Sequence, residues 1–273
     1  MKRKQNKGGR QMVLRTWSAS ENESLAQNGY VVLRQVLAPD EVEGLRSELK
    51  SLWFSRYRAS GAGSDPGGGN SPDRLFSPIR NAHEESALLR ATALDERIQY
   101  LMEQIFGEEA LVVGGTGFYK APGSKELPMH QDNYDIGAAP GTSCAAWISL
   151  DRTAEVNGGM QFVPGSHRLG LLKPRNPASS SVYAQSVPVP ANYAVVSVET
   201  EPGDIILFNG NVLHGSHANT TSDRFRMSYV VHYVSYSTEK IFVQHSRLLN
   251  KRGERETRRL HKAHAVKRMF AEH

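Results

Sequence analysis

The 273 residues carry a formal net charge of +5 and are 39% hydrophobic, enough for a buried core. No run reaches the roughly 18 apolar residues of a membrane helix, and the opening MKRKQNKGGR lacks the apolar segment of a secretory signal, so neither a membrane nor a secretory route is expected. Cys144 is the only cysteine, which excludes an internal disulfide framework and a multi-cysteine zinc site and suits a reducing, cytoplasmic compartment.

The charge is unevenly placed. Residues 1–10 hold five Lys/Arg and no acid, and residues 251–273 hold eight Lys/Arg and three acids, leaving 20 basic and 25 acidic residues in 11–250. The basicity therefore belongs to the two ends, where solvated tails are the simpler expectation than a nucleic-acid surface.

In chain order, Tyr30 to Leu33 reads as a strand. After a turn, Pro39 suits a first helical turn, and Val42, Leu45, Leu49 and Leu52 follow at helical spacing. Residues 59–73, ASGAGSDPGGGNSPD, are too rich in Gly, Ser, Pro and Asp to bury much and predict a mobile loop or lid. A second amphipathic helix follows, with Asp95 as cap, Ile98, Leu101, Met102 and Ile105 inward, and a stop near Gly107.

From about residue 111 the period changes. ALVVGG, CAAWISL, GMQFV, YAVVSVE, DIILF and MSYVVHYVSY are short β-type runs broken by APGS, NGG, PGS and EPGD. Such a series predicts a double-sheet jelly roll, with the helices before it covering one sheet from outside. The last segment returns to a charged pattern with Leu260, Ala263, Met269 and Phe270 at helical spacing.

Within LPMHQDNYDIG, His130 and Asp132 are two positions apart and would share a face if extended. An H-x-D pair alone is close to chance. DIILFNGNVLHGSHAN supplies a third candidate, His214, after a strongly apolar strand. Two histidines and one carboxylate form a facial triad that leaves adjacent coordination positions open, which suits non-haem Fe(II) oxygen chemistry. Zinc also accepts these ligands, but a site closed by side chains tends to four of them. An open iron site needs an electron-supplying co-substrate. If that is a 2-oxo dicarboxylate, its far carboxylate needs a cation, preferably the planar fork of an arginine. Arg226 and Arg224, in SDRFRMSYVVHY, are the candidates.

The motifs KAPGSKELPMHQD, AAWISL, NGGMQFVPGSHR, EPGDIILFNGNVLHGSHAN and SDRFR, with the opening GYVVLR and RNAHEESALLR, resemble the phytanoyl-CoA dioxygenase family over roughly residues 25 to 240. The resemblance implies a mainly β chain with flanking helices, folded as a double-stranded β-helix (a cupin-like jelly roll). It implies iron held by His130, Asp132 and His214, with 2-oxoglutarate and O2 as co-substrates. The family's co-substrate arginine usually lies eleven residues after the distal histidine, which here is Phe225; a one-residue insertion carries the role to Arg226, and Arg224 remains the alternative. Trp147, Ser216 and Lys120 match family positions near the co-substrate, with Thr116 a fourth. Relatives that halogenate lack the carboxylate of the triad, so Asp132 implies hydroxylation, giving succinate and CO2.

The expected organisation is a basic, partly flexible tail over 1–24, an oxygenase domain over 25–245 with the loop at 59–73, and a basic helical tail over 246–273. For the substrate, Asn133, Tyr134 and Asp135 could line the pocket mouth, and Arg80 and His83 could reach in from the lid side. Arg80 facing the iron would imply an anionic group on the substrate. His167, His217 and His232 read as satisfied polar residues rather than ligands, and Cys144 as a small buried hydrophobe. The expected reaction is hydroxylation of a small molecule, an amino-acid derivative or secondary-metabolite intermediate by family analogy. Ring formation, epoxidation or desaturation is the rival within enzymes; a non-catalytic jelly roll holding acidic partners or nucleic acid is the rival outside them.

Overall fold

Alternation along one strand organises the molecule. In the run Cys144–Ser149, Ala146 and Ile148 join one buried cluster while Ala145 and Trp147 join another, because successive side chains point to opposite faces of a sheet. The computed structural model describes residues 16–59, 71–175 and 186–261.

The helices are α1 (Ala19–Asn28), α2 (Pro39–Ala59), α3 (Pro72–Leu75), α4 (Ala82–Glu85), α5 (Ala87–Ala93), α6 (Glu96–Phe106) and α7 (Asp132–Ile136). The strands are β1 (Tyr30–Leu33), β2 (Ala110–Lys120), β3 (Leu127–His130), β4 (Cys144–Ser149), β5 (Met160–Phe162), β6 (Val196–Val198), β7 (Ile205–Asn209) and β8 (His214–Ser216). They continue with β9 (Arg226–Ser235), β10 (Lys240–Ile241), β11 (Leu248–Leu249), β12 (Arg255–Glu256) and β13 (Arg259–Leu260). One antiparallel sheet has the order β1-β7-β4-β9-β2-β11-β12 and a second, smaller one the order β3-β8-β5-β6.

Ala145, Trp147, Ile206, Phe208 and Val230 of the larger sheet pack with Met160, Phe162 and Val198 of the smaller, which makes the inner core of a jelly roll. The outer face of the larger sheet is covered by α2, α5 and α6. Leu45, Leu49, Leu89, Ile98, Leu101 and Met102 pack there against Ala146, Ile148, Leu207 and Tyr229. Each such buried side chain contributes about 1.5–3 kcal/mol. α6 has the expected ends: Asp95 accepts from the Arg97 N–H, and Gly107 (φ 73°) closes the helix.

Three expectations about the chain ends and the loop need correction or limits. Residues 246–261 are not helical: Leu248 and Leu249 are buried in β11, where Leu249 pairs with Val112 on the edge of β2. An exposed edge with unpaired backbone groups recruits this segment, and pairing overrides a weak helical pattern. Residues 262–273 lie outside the described residues, as do 1–15 and 60–70. The N-terminal tail is also shorter than expected. Ser18 and Glu21 form a capping box that starts α1, and Trp17 packs against the helix-side core.

Candidate metal centre and co-substrate cavity

His130 ends β3 and His214 begins β8, and the two are register partners across that antiparallel pair. Their rings lie 4.2 Å apart between centroids. His130 Nδ1 is 2.8 Å from the Pro128 carbonyl and His214 Nδ1 is 3.1 Å from the Val212 carbonyl. A carbonyl can only accept, so each Nδ1 carries the proton and each Nε2 offers its lone pair.

Asp132 arrives differently from the strand-parity expectation. β3 stops at His130, and Asp132 is the first residue of α7, so a strand-to-helix turn rather than two-residue alternation brings the carboxylate in. Asp132 Oδ1 stands 3.6 Å from His130 Nε2 and 3.6 Å from His214 Nε2. One donor atom from each of the three residues lies within 4.8 Å of the others, and all three residues are buried. His232 Nε2 donates to Asp132 Oδ2 at 3.0 Å, which fixes the carboxylate plane and leaves Oδ1 facing the histidines.

Burial, then the neighbouring His214, pushes the His130 imidazole down to about 3. Burial alone would raise the Asp132 carboxyl, but His214 and His232 hold it below the usual carboxylate range. The donor set therefore presents a neutral imidazole and an oriented carboxylate at neutral pH. Among the described residues no fourth His, Cys or acid joins this cluster. Three donors on one side with open positions opposite fit a divalent iron better than a closed zinc site.

The three donors line a cavity of about 210 Å³ whose wall is the inner face of the larger sheet. Thr116, Phe118 and Lys120 of β2 face it, as do Arg226, Val230 and His232 of β9 and Trp147 of β4. Lys120 and Arg226 are register partners at its far end. Arg226 is 4% exposed; its Nε donates to the Gly158 carbonyl at 3.1 Å and its Nη1 to Ser228 Oγ at 2.8 Å, with the guanidinium over the Trp147 ring. Lys120 Nζ donates to Ser216 Oγ at 2.7 Å. Gly158 (φ +92°) makes room for this pair, since a Cβ there would stand 2.4 Å from Lys120 Cδ.

Neither buried cation has a carboxylate within ion-pair distance among the described residues. Burial, then the adjacent Arg226, lowers Lys120 to about 7, and burial lowers Arg226 to about 10. Two neighbouring buried cations disfavour each other until an anion joins them. The cavity end is thus electrostatically prepared for a carboxylate.

The remaining sequence candidates separate cleanly. Arg80 lines this cavity and a second one of about 240 Å³. Asp135 lines only the second. Arg224 is exposed and lines neither cavity, whereas Arg226 is buried and lines the first. His83 is buried away from both cavities and accepts the Gly115 N–H at 3.1 Å, bracing the bulged part of β2. Asn133 is buried and accepts the Ala138 N–H at 3.0 Å, closing the α7 turn. Tyr134, on the same turn, lines neither cavity. His217 hydrogen-bonds Ser197 Oγ and His167 meets the Ala26 carbonyl, both away from the triad. Cys144 is buried in the helix-side core.

His232 is a satisfied polar residue rather than a ligand, as expected, and its contact with the Asp132 carboxylate is the feature that sequence reasoning missed. Its signal was parity: 226, 230 and 232 face one cavity along one strand. Gln131 is a second. Its Nε2 bonds the Gly170 and Asn211 carbonyls and its Oε1 the Leu172 N–H, tying the metal turn to two loops.

The family model for phytanoyl-CoA dioxygenase matches residues 25–228. Phytanoyl-CoA dioxygenase of Arabidopsis thaliana is 24% identical over 243 residues, covering 76% of this chain and 84% of that protein. Ectoine dioxygenase of Sphingopyxis alaskensis is 27% identical over 267 residues, covering 87% and 84%. Among solved structures, the α-ketoglutarate-dependent carbocyclase SnoK from nogalamycin biosynthesis superposes with TM-score 0.66 at 20% identity, covering 92% of this chain and 90% of that one. EctD from S. alaskensis, with 2-oxoglutarate and 5-hydroxyectoine, superposes with TM-score 0.64 at 22% identity, covering 82% and 78%. The structural likenesses carry the jelly-roll fold, and the family match spans most of the sequence: the chain belongs to the phytanoyl-CoA dioxygenase family of iron- and 2-oxoglutarate-dependent oxygenases.

Proposed function

We propose that this chain hydroxylates a small molecule, an amino-acid derivative or secondary-metabolite intermediate, with 2-oxoglutarate and O2 converted to succinate and CO2. The observation that carries the reading is one cavity holding a convergent His130, Asp132, His214 donor set at one point and two carboxylate-free cations, Lys120 and Arg226, at its end. His130, Asp132 and His214 would hold the iron, which when bound supplies oxygen activation coupled to oxidative decarboxylation of 2-oxoglutarate.

This chain's residues do the rest. His232 keeps Asp132 Oδ2 occupied so that Oδ1 faces the metal position. Arg226 and Lys120 hold the far carboxylate of 2-oxoglutarate, with Ser216 steering the Lys120 ammonium and Trp147 walling the guanidinium. Thr116, four residues before Lys120 on β2, lines the same cavity and offers a hydroxyl to the co-substrate. The apolar walls, Phe118, Met160, Phe208 and Val230, exclude bulk water.

Ring formation or desaturation is the second reading, favoured by the similarity to a carbocyclase. Cytoplasmic placement belongs to the same proposal; no described helix is long and apolar enough to cross a membrane, and Cys144 is buried without a disulfide. The test is succinate release from 2-oxoglutarate with added Fe(II), followed by mass analysis of products from a substrate screen. One added oxygen atom carried as a new exchangeable hydroxyl supports hydroxylation; loss of two hydrogens, or an added oxygen without a new hydroxyl as in an epoxide, supports the rival; and no succinate from purified protein overturns both.

A further inference from the structure

We propose that the second cavity receives the substrate and that Arg80 binds an anionic group of it, a carboxylate, sulfate or phosphate. This rests on the oxygenase reading above. Ile79 exchanges backbone hydrogen bonds with Gly117, N to O at 2.9 and 3.1 Å, which adds residues 78–80 to the edge of β2. Ile79 is buried in the helix-side core. Its neighbours Pro78 and Arg80 therefore face the opposite side with Thr116 and Phe118, and all four line the first cavity.

The backbone of Arg80 is held while its head group is uncommitted. Its carbonyl accepts from Arg56 Nη2 at 3.2 Å, and Asn81, at φ 54°, turns the chain sharply into α4. No described carboxylate lies within ion-pair distance of its guanidinium, nor does that group donate to any described acceptor.

Position separates Arg80 from the co-substrate's cations. Arg80, Thr116, Asp132 and His232 line both cavities, whereas Lys120, Ser216 and Arg226 line only the first. The cavities therefore meet at the metal centre. Thr116 and Lys120 are four residues apart on one strand, about 13 Å at the usual strand rise, so Arg80 lies well away from the far carboxylate of 2-oxoglutarate. At about 240 Å³ the second cavity exceeds what one or two waters need. Gln244 and His245 close it from beyond residue 228, where the family match ends.

The test uses full-length protein loaded anaerobically with Fe(II) and 2-oxoglutarate. Hydrocinnamate and its neutral amide, with a panel of similarly matched acids and amides, are titrated by ligand-observed NMR. The expected result is acids binding about tenfold or more tightly than their amides, the scale of one charge-assisted hydrogen bond. Arg80→Gln erases that preference, Arg80→Lys retains part of it, and the exposed control Arg224→Gln keeps it. Equal binding of acids and amides, or a preference that survives Arg80→Gln, overturns the proposal. A parallel fall in 2-oxoglutarate affinity in Arg80→Gln also overturns it, since Arg80 would then serve the co-substrate. Wild-type protein that binds no 2-oxoglutarate sinks the underlying reading, and this one with it.

Discussion

Replacing Arg226 with alanine tests the co-substrate end of the cavity. Of the five N–H donors of a guanidinium, Arg226 commits two, to Gly158 and Ser228, which leaves three for a carboxylate. Truncating one partner of a buried, hydrogen-bonded charge pair weakens binding by about 2–5 kcal/mol. Lys120 stays beside the vacated position and supplies one positive charge, which places the loss toward the lower end. At about 1.4 kcal/mol per tenfold, the dissociation constant for 2-oxoglutarate rises about 30- to 300-fold. Arg226→Lys keeps the charge but loses the fork, for a rise of about tenfold. Arg224→Ala, at an exposed position, changes it less than about twofold. Calorimetric titration of 2-oxoglutarate into the metal-loaded protein measures all three. A melt of the ligand-free protein separates folding from binding, because removing an uncompensated buried cation leaves stability equal or higher. If Arg224→Ala weakened 2-oxoglutarate binding more than Arg226→Ala, the assignment of the two arginines would be wrong.

His232→Ala should weaken Fe(II) binding about 10- to 100-fold while leaving the three donors in place; metal titration shows it, and unchanged affinity would remove His232 from the site. Gly158→Ala introduces a Cβ against Lys120 at positive φ, so both thermal stability and 2-oxoglutarate affinity should fall; a neutral effect on both would contradict the packing. Lys120, lowered to about 7, is largely neutral in the free protein above that pH, and a bound carboxylate favours its charged form. Affinity for 2-oxoglutarate should therefore decline as pH rises above about 7, with proton uptake on binding seen as buffer-dependent enthalpy. Lys120→Met should abolish that uptake. In the ligand-free protein the same depression makes the unfolded chain bind more protons between about 7 and 10.5, so the lysine's unfavourable effect on stability eases as pH rises through that window.

The sequence was most readable where one periodicity dominated. Strand runs such as DIILF and MSYVVHYVSY appear as β7 and β9, and Asp95 and Gly107 bound α6 as their capping chemistry requires. His130, Asp132 and His214 were legible as a set because few residue types can build an open metal site. What was less legible depends on tertiary partners. β11, β12 and β13 are two-residue strands in charged sequence, too short to carry a period, and the open edge of β2 explains β11. The placement of Asp132 on a helical turn, where the Asn133 N–H meets the Gly210 carbonyl, and of His83 against the Gly115 N–H follows from backbone groups supplied elsewhere in the fold, whereas Asn133 Oδ1 braces its own turn through the Ala138 N–H. α1 was readable in principle, since Ser18 and Glu21 have capping-box spacing.

The central claim is that His130, Asp132 and His214 hold the iron. Anaerobic Fe(II) titration of the wild-type protein and of Asp132→Ala and His214→Ala tests it most directly. One Fe(II) per chain in the wild type, lost in both variants together with succinate formation from 2-oxoglutarate, is the predicted result. Full Fe(II) occupancy in either variant, or none in the wild type, would contradict it.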